Sequence, residues 1–499
     1  MRTIRLQIYF VVALVMSLSS CSDWLELEPQ DDITVDDYWK SKEDIRMALN
    51  AGYQKMQAEV NTMFLWGEIR SDFVKYGNNI ENHGKAYKRI MNLEILDNNE
   101  VLKWGGMYQI INYANTVLKY APSVRASDLS LTAKELNSYL AEAYFQRSLA
   151  YFYLLRTFGE VPMQLEPTDT DKVNVYLPKS SEAEILAQLE KDLEWAERYA
   201  PRGFSEVEPG KAYGTKAAVR ALLADIFLWD EKYDKSILYC DKVINASTYS
   251  LMAEVDPNWT EEQKKNFNAE SEYLRIFKEG NVAENILEVQ FSKPLNQFNS
   301  YWKLFGGSDG SNNHEPAFEI SDQVAELYGE DDLRISALVL GDDDLTTQES
   351  ILKFEKGDLR DANWIIYRYA DILLMKAESL LETGDTFGAQ KLLNQVRNRA
   401  GLGPKILNGS LEDSEDAILQ ERALEFAFEG KRWFDLLRCA KRGNYKRSTK
   451  IIDVMISRVD PAEAPKWKSL LSDPDSYYLP IHIDELRSNP QLKQNPYYE

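Results

Sequence analysis

Aromatic rings, amides and carboxylates occur together in two stretches of the sequence. The residues concerned are, in the first stretch, Trp66, Asp72, Tyr76 and Asn79, and in the second, Tyr301, Trp302 and Asn312. An aromatic ring covers an apolar ligand face, while amides and carboxylates bond to hydroxyl groups. Sugar rings present both kinds of surface, so the two stretches supply the side chains that a carbohydrate-binding site on loops would need. The competing interpretations are core packing for each Trp or Tyr and helix capping for Asp72.

Catalytic and metal-binding motifs are weak. Residues 306–310 match the G-x-S-x-G nucleophile motif, but the Ser-Asn-Asn that follows favours a loop where a hydrolase requires a helix. The three histidines have no metal-ligand spacing. The three aspartates at 342–344 lack the alternating pattern of a calcium loop. The sequence therefore predicts no catalytic residue, no metal site and no cofactor.

Two other classes of protein stay open on these residues alone. A glycoside hydrolase needs only two carboxylates that flank a glycosidic bond. The 80 acidic residues supply many such pairs, which a sequence cannot place across a cleft. A hydrolase would release reducing ends from a glycan, whereas a binding protein would retain the glycan unchanged. A helical-repeat scaffold would need a long exposed concave surface and would not need aromatic–amide loops.

The charge balance argues against polyanionic partners. The 499 residues include 58 basic and 80 acidic side chains, which give a formal net charge of −22 at pH 7. Phosphate backbones attract surfaces rich in Lys and Arg, so we expect no nucleic-acid partner. The same balance argues against loose electrostatic binding to an anionic membrane, and it mildly disfavours polyanionic glycans.

The N-terminus has the pattern of a lipoprotein export signal. Arg2 and Arg5 precede a short apolar run over residues 6–16, which is too short to span a bilayer as a standard helix. The Leu-Ser-Ser-Cys that ends at Cys21 resembles a lipobox, in which small residues precede an acylated cysteine. We predict a signal peptide over residues 1–20, lipidation of Cys21 and an acidic tether over residues 21–35. The alternative is an ordinary cleaved signal in which Cys21 is incidental.

The remainder of the chain is predicted to be one mainly α domain over residues 36–499. Apolar residues recur at helical spacing over residues 42–56, 136–158, 214–229, 233–244, 364–382, 389–400, 413–430 and 431–441. Small residues at the expected crossings favour tetratricopeptide-like helix pairs, which long insertions separate. Residues 250–347 are rich in Asn, Gly, Ser and Asp, with a strand-like piece over residues 286–291. We predict that residues 250–347 form an irregular, variable insertion region with a few short strands.

Several motifs resemble the SusD/RagB family in type and in order. In the C-terminal third these are RYADILLMKAE at 368–378, LNQVRNRAGL at 393–402, a third segment at 421–436 and the tail at 478–497. GEIRSD at 67–72 and the segment around Trp104 extend the resemblance over essentially the whole chain after Cys21. His482 and Tyr497 stand where the family usually has Pro and Gly, and neither departure disturbs a binding assignment.

The resemblance implies a cell-surface lipoprotein that binds an oligosaccharide or polysaccharide and is not an enzyme. Such a protein is expected to lie over a SusC-like TonB-dependent transporter in the outer membrane of a Gram-negative bacterium and to deliver glycan to it. The glycan contacts are expected in the two loop regions named above. Charged signature residues within apolar helix faces are predicted to form buried pairs that hold the fold; they are Asp371, Arg397, Glu421, Arg422, Glu425, Glu429 and Arg432. Trp104 and Trp433 are predicted to pack in the core.

Overall fold

The structure is a computed structural model of a mainly helical chain. It describes residues 38–76, 84–170, 172–203, 210–252, 269–305, 307–308, 313–314, 317–329, 331–338, 353 and 361–499. Within these ranges there are 17 α-helices and eight short strands, so the predicted mainly α fold is confirmed. The predicted signal peptide, lipidated Cys21 and acidic tether lie outside the described residues.

The helices and strands are distributed along the whole described chain. The helices are α1 (Lys42–Ala58), α2 (Val60–Glu68), α3 (Gly84–Met91), α4 (Gly105–Ser127), α5 (Ala133–Phe158), α6 (Glu182–Tyr199), α7 (Lys216–Trp229), α8 (Tyr233–Ile244), α9 (Ala269–Lys278), α10 (Asp322–Leu327), α11 (Tyr369–Glu382), α12 (Thr386–Arg399), α13 (Leu411–Glu425), α14 (Arg432–Tyr445), α15 (Ser448–Ile456), α16 (Ala464–Leu470) and α17 (Ile483–Ser488). The strands are β1 (Val74–Tyr76), β2 (Val161–Pro162), β3 (Lys179–Ser180), β4 (Asn285–Val289), β5 (Gly307–Ser308), β6 (Asn313–His314), β7 (Phe318–Ile320) and β8 (Trp364–Arg368).

Capping boxes fix where several long helices begin. In α5, the Thr132 hydroxyl accepts a hydrogen bond from the Glu135 backbone N–H, and the Glu135 carboxylate accepts one from the Thr132 N–H. The same reciprocal pair forms at the starts of α1, α6 and α13. Each box satisfies backbone donors that the first turn of a helix leaves unpaired. At its other end α5 stops at Gly159, whose φ of 72° is one that a glycine adopts without steric cost.

The long helices pack in a series in which each contacts the next. The order is α1, α4, α5, α6, α7, α8, α11 and α12. Small side chains permit close approach within this series, as in α7, where Ala218, Ala221 and Ala224 are fully buried. This arrangement agrees with the predicted tetratricopeptide-like pairs, which the segment between α8 and α11 interrupts.

The predicted helix over residues 364–382 is wrong for its first five residues. Trp364–Arg368 form β8, which pairs antiparallel with β4, while α11 begins at Tyr369. The sequence Trp-Ile-Ile-Tyr-Arg is aromatic and β-branched, which favours a strand that is buried on both faces, and all five residues are buried. The predicted strand-like piece at 286–291 corresponds to β4, so the β4–β8 ladder attaches the insertion region to the C-terminal helices.

A buried set of ion pairs joins the insertion region to the C-terminal motifs. We call this set the Arg368 network; its members are Glu284, Arg334, Lys353, Arg368, Arg399, Glu421, Glu425 and Glu429. Arg368 lies at its centre, with its guanidinium nitrogens 2.7 Å from Glu284 Oε1 and 3.0 Å from Glu429 Oε1. Burial without partners would be costly for such charges, so their mutual pairing is what makes this interior possible.

The charged signature residues all have partners, and all are buried as predicted except Arg397, which is half-buried. Glu421, Glu425 and Glu429 belong to the Arg368 network, and the other pairs are Arg397–Glu421, Arg422–Asp435, Lys431–Asp371 and Arg432–Asp72. A separate buried cluster contains Glu378, whose carboxylate pairs with Arg438 at 2.7 Å and with Arg442. Trp104 and Trp433 lie in the core, which confirms their predicted role.

The C-terminal tail closes the end of α5. The Leu479 backbone N–H donates to the Thr157 carbonyl at 2.8 Å, and the Asn495 amide donates to the Phe158 carbonyl at 3.0 Å. These bonds satisfy carbonyls that the last turn of a helix leaves without partners. The largest cluster of buried apolar side chains contains residues from Met56 to Ile481, so both ends of the described chain build one core.

Candidate functional site

A short ladder brings the two predicted aromatic–amide stretches together. β1 pairs antiparallel with β7, with Val74 opposite Ile320, Lys75 opposite Glu319 and Tyr76 opposite Phe318. Because the strands run in opposite directions, the chain leaves β1 after Tyr76 at the same end where it enters β7 at Phe318. We call this edge the ladder end. The stretch that follows Tyr76 and the stretch that precedes Phe318 therefore start side by side.

Tyr76 is the predicted site residue that lies at the ladder end. Its ring is half-buried, and Lys88 Nζ lies 5.0 Å from the ring centroid. Its hydroxyl is buried and has no hydrogen-bond partner among the described residues. Burial, together with the charge of Glu94, raises the pKa of Tyr76 to about 12, so the hydroxyl keeps its proton at neutral pH. A buried hydroxyl donor that bonds to no described residue needs an acceptor from outside that part of the chain.

Aromatic rings from two other segments pack against Phe318 at the ladder end. The Tyr87 ring of α3 stacks on Phe318 with centroids 5.1 Å apart and planes 29° apart. Phe318 is also 6.0 Å from Phe305, which ends the 3₁₀ helix Ser300–Phe305. The backbone of Trp302 lies within this 3₁₀ helix, and its side chain lies outside what the structure describes. The aromatic packing gives the ladder end a rigid base.

Three of the predicted contact residues belong to the core. Trp66 is fully buried and its indole N–H donates to the Val101 carbonyl at 2.8 Å. Tyr301 is 1% exposed and its hydroxyl donates to the Phe428 carbonyl at 3.0 Å. Asp72 accepts two hydrogen bonds from the Arg432 guanidinium, at 2.8 and 2.9 Å. Side chains that are buried and bonded in this way cannot cover a sugar ring, so the predicted glycan contact is corrected for these three.

Asn79 and Asn312 lie outside the described residues, as does Cys21. They therefore remain predictions. Among the helices of the described ranges, none is both long enough and apolar enough to cross a membrane.

The described residues of the nucleophile-like motif lie in a short strand. Gly307–Ser308 form β5, which pairs antiparallel with β6, with Ser308 opposite Asn313. A hydrolase nucleophile of this motif sits on a strand-to-helix turn, which a two-residue hairpin strand does not provide. In the described part of the chain, no group of three or more His, Cys, Asp or Glu side chains has the geometry to hold a metal ion.

One polar groove was not predicted from the sequence. It lies between α1 and β4, has a volume of about 480 Å³, and is lined by uncharged amides and two tyrosines. The signal that could have revealed it is the spacing of Met47, Asn50, Gln54 and Gln57, which puts all four on one face of α1. Amides on an exposed helix face usually signify solvation alone, so the pattern carries little information without the opposite wall.

The fold is mainly helical and the two aromatic–amide stretches start side by side at the ladder end; two family models match the sequence of this chain. The model described as the SusD family matches residues 346–498, and the model described as starch-binding associating with outer membrane matches residues 23–228. The chain belongs to the SusD/RagB family.

Proteins of known sequence and proteins of known structure are similar to this chain over nearly its whole length. The chain is 27% identical to SusD-like protein P38 of Formosa agariphila over an alignment of 539 positions, gaps included, which covers 99% of each chain. Surface glycan-binding protein A of Bacteroides uniformis has the same fold, with a TM-score of 0.74, 24% identity and coverage of 92% of this chain and 100% of that one. Surface glycan-binding protein A of Bacteroides thetaiotaomicron, solved in complex with laminarihexaose, has a TM-score of 0.70 at 21% identity and covers 91% of this chain and 99% of its own.

Proposed function

We propose that this protein captures an oligosaccharide at the surface of a Gram-negative outer membrane and delivers it intact to a SusC-like TonB-dependent transporter. The observation that carries the proposal is the pairing of Tyr76 with Phe318, which joins two aromatic–amide stretches at one edge. Membership of the SusD/RagB family supports it. Two structures with the same fold bear the name surface glycan-binding protein, and one of them holds laminarihexaose.

The ladder end supplies the two kinds of contact that a sugar needs. The half-buried Tyr76 ring offers an apolar surface, and amide side chains are the proposed polar contacts. Trp302, Asn79 and Asn312 remain proposed contacts, because they belong to the stretches that begin beside this edge. An aromatic face together with amide donors and acceptors matches the apolar face and hydroxyl rim of a pyranose ring.

Capture without chemistry is part of the proposal. The buried carboxylates of Glu378 and Glu429 have arginine partners that, against the opposing effect of burial, lower the pKa of each to about 2. A glycosidase acid requires the opposite shift, a pKa raised toward neutrality. These residues therefore suit a scaffold.

Calorimetric titration against neutral and acidic oligosaccharides, with chromatography of the recovered sugars, tests capture. We expect saturable binding with the sugars recovered intact. Tyr76→Ala should weaken that binding about tenfold, which corresponds to about 1.4 kcal/mol. Tyr113→Ala, which removes an exposed tyrosine from α4, is the matched control and should leave affinity unchanged. Shortened sugars in the recovered mixture would favour the glycoside hydrolase, and equal affinities for the Tyr76→Ala and native proteins would contradict the site.

Anchoring through Cys21 and association with the transporter need separate tests. Cys21→Ala should abolish incorporation of labelled palmitate and move the protein from the membrane fraction to the soluble fraction, since several acyl chains are needed for stable anchoring. Purification of the tagged native protein from solubilised outer membranes should bring with it a TonB-dependent transporter. Retention of the Cys21→Ala protein in the membrane would contradict the lipid anchor, and recovery of the native protein alone would contradict the partner.

A further inference from the structure

The groove between α1 and β4 has two walls and an aromatic floor. Asn50 and Gln54 of α1 form one wall, Gln290 and Gln297 line the other, and Tyr213 lies between them. A volume of about 480 Å³ falls in the range of about 300–1,000 Å³ typical of small-molecule sites. The groove is therefore large enough to receive one or two sugar rings.

Hydrogen bonds hold the two walls at a fixed separation. The Gln57 amide donates to the Gln290 backbone carbonyl at 2.5 Å, which ties α1 to the end of β4. The Gln290 side-chain oxygen accepts from the Asn281 and Asn363 amides at 2.9 and 3.0 Å. A wall whose own polar groups are satisfied is preorganised, so little ordering is required when a ligand binds.

Three lining amides are left available. Asn50 and Gln54 are exposed, Gln297 is half-buried, and none of the three side chains has a hydrogen-bond partner within the described part of the chain. Each amide offers two donors and an acceptor. A ligand that both donates and accepts at short intervals, as a row of hydroxyl groups does, can satisfy all three.

The groove is uncharged where a ligand would touch it. Glu288 is the acidic residue of its described lining, and it is 1% exposed and bonded to the Asn281 N–H at 2.9 Å and the Asn363 amide at 2.7 Å. The described lining contains no Lys or Arg. An anionic ligand would lose its hydration there without gaining a counter-charge, whereas a neutral one would not.

The floor and rim supply apolar surface. The Tyr213 ring is held by an edge contact with Tyr53, with centroids 5.1 Å apart, and by the Arg46 guanidinium 5.5 Å from its centroid. The Tyr53 hydroxyl in turn accepts from the Gly214 N–H at 2.8 Å. Met47, which is 54% exposed, forms the rim. A fixed aromatic ring beside free amides is the combination that the C–H face and hydroxyl rim of a pyranose require.

The groove also adjoins the ladder end along the chain. Gln297 is followed by the 3₁₀ helix Ser300–Phe305, which contacts β7. Asn61 of α2 donates to the Ser300 hydroxyl at 3.0 Å, so the helix after α1 is fastened to the same segment. The groove and the ladder end are therefore connected through the segment from Gln297 to Phe305.

We propose that the α1–β4 groove is a second carbohydrate subsite, selective for uncharged sugar residues. This inference rests on the proposed function, because it assigns the groove to the same glycan that binds at the ladder end. An extended uncharged peptide has related hydrogen-bonding chemistry, but it lacks the apolar C–H faces that Tyr213 and Met47 would cover.

The test introduces charge into the groove without changing its shape. The double variant Asn50→Asp/Gln54→Glu keeps side-chain volume and replaces amide donors with carboxylates. Gln491→Glu, an exposed glutamine near the C-terminus, is the control for the same type of substitution. Titrations use laminarihexaose and maltohexaose as neutral probes, hexagalacturonate as the anionic probe and an uncharged Gly-Ser-Asn peptide. Thermal unfolding checks that each variant is folded, and the milder Gln54→Ala variant replaces the double one if it is not.

We expect at least one neutral hexaose to bind the native protein, with affinity reduced about tenfold in the double variant and unchanged in Gln491→Glu. Unchanged affinity in the double variant would overturn the subsite, even if Tyr76→Ala abolishes binding and so supports the proposed function. The reverse result, loss in the double variant and none in Tyr76→Ala, would keep the groove and contradict the ladder end. Binding of hexagalacturonate alone, of the peptide alone or of no probe would also overturn the subsite.

Discussion

The Arg368 network and the α1–β4 groove are both rich in polar side chains, but they differ in whether those side chains have partners within the protein. In the network every charge is buried against an opposite charge, as when Arg334 Nη1 lies 2.7 Å from Glu421 and 2.9 Å from Glu425. In the groove Asn50 and Gln54 are exposed and without partners in the described residues. A polar group that is already satisfied holds the fold, whereas one that faces solvent unpaired is available to a ligand.

The two regions also differ in the free-energy cost of losing a hydrogen-bond or ion-pair partner. A buried charge that loses its partner retains the cost of having left water, so breaking a buried pair is expensive even where the intact pair adds little. An exposed amide that loses its partner is solvated again. Substitutions in the network should therefore act on stability, and substitutions in the groove and at the ladder end on binding.

The largest expected effect is that of Arg368→Met. This change keeps an unbranched chain but leaves Glu284 and Glu429 without their central cation, so we expect the free energy of unfolding to fall by about 3–5 kcal/mol. Urea unfolding followed by circular dichroism measures the loss. Arg275→Ala is the control, because its pairs with Glu272 and Glu279 lie at the surface and should contribute under about 1 kcal/mol. Similar losses for the two variants would remove the distinction between buried and exposed pairs.

Glu378 makes the buried charges responsive to acid. Burial alone would raise its pKa, but Arg438 and Arg442 lower it from 4.5 to about 2. The unfolded chain therefore takes up a proton first as the pH falls, and the contribution of Glu378 to stability, about 3 kcal/mol, is present above pH 4.5 and lost toward pH 2. Glu378→Gln should be less stable by that amount at pH 7 and equal to the native protein near pH 2. A difference in free energy of unfolding between the two proteins that is the same at every pH would contradict this assignment.

Glu68 should give an effect of opposite sign. It is buried at the end of α2, and neither carboxyl oxygen has a hydrogen-bond partner of normal geometry within the described ranges. Burial, and then the nearby charge of Asp72, raise its pKa from 4.5 to about 8. The folded protein therefore keeps a proton that the unfolded chain has released, so stability declines as the pH rises from 4.5 to about 8.

Glu68→Gln removes that decline. At pH 8 the variant should exceed the native protein in free energy of unfolding by at least about 1 kcal/mol, and the two should converge near pH 5. Urea unfolding at the two pH values gives the comparison. A variant that is less stable than the native protein at pH 8 would show that the carboxylate has a stabilising partner.

The smallest expected effect is that of Lys75→Ala in β1. Lys75 Nζ lies 2.8 Å from Asp322 Oδ1, a distance like those in the network, but the two side chains are 40% and 82% exposed. Solvent screening should limit the loss to about 0.5 kcal/mol or less. A loss above about 2 kcal/mol, measured by the same unfolding method, would mean that distance rather than burial decides the value of an ion pair here.

Helices with a clear apolar periodicity could be located from the sequence. α8 begins and ends at the predicted residues, Tyr233 and Ile244, because the turn before it and the apolar face within it are both local signals. β8 could not be separated from α11, because a short buried run of aromatic and β-branched residues has no periodicity of its own. Its strand conformation depends on β4, which lies 75 or more residues earlier in the chain.

The site was predictable as a pair of regions and less so as individual residues. Aromatic and amide content marked both stretches, and the β1–β7 ladder joins them. Composition does not tell which aromatic ring faces inward, and Trp66 and Tyr301 are buried because α2 and the 3₁₀ helix Ser300–Phe305 turn them toward the core. The hydrogen bond from the Arg432 guanidinium to Asp72 connects residues 360 positions apart, which no local pattern could indicate.

The closure of α5 by the C-terminal tail also governs when this chain can fold. The Asn495 amide donates to the Phe158 carbonyl, which lies 337 positions earlier in the sequence, and the Leu479 N–H donates to the Thr157 carbonyl. Contacts of such long range form late, because the whole intervening loop must be ordered first. This end of the core therefore closes only after the chain between residues 158 and 479 has been ordered, and it should form more slowly than the local helix pairs.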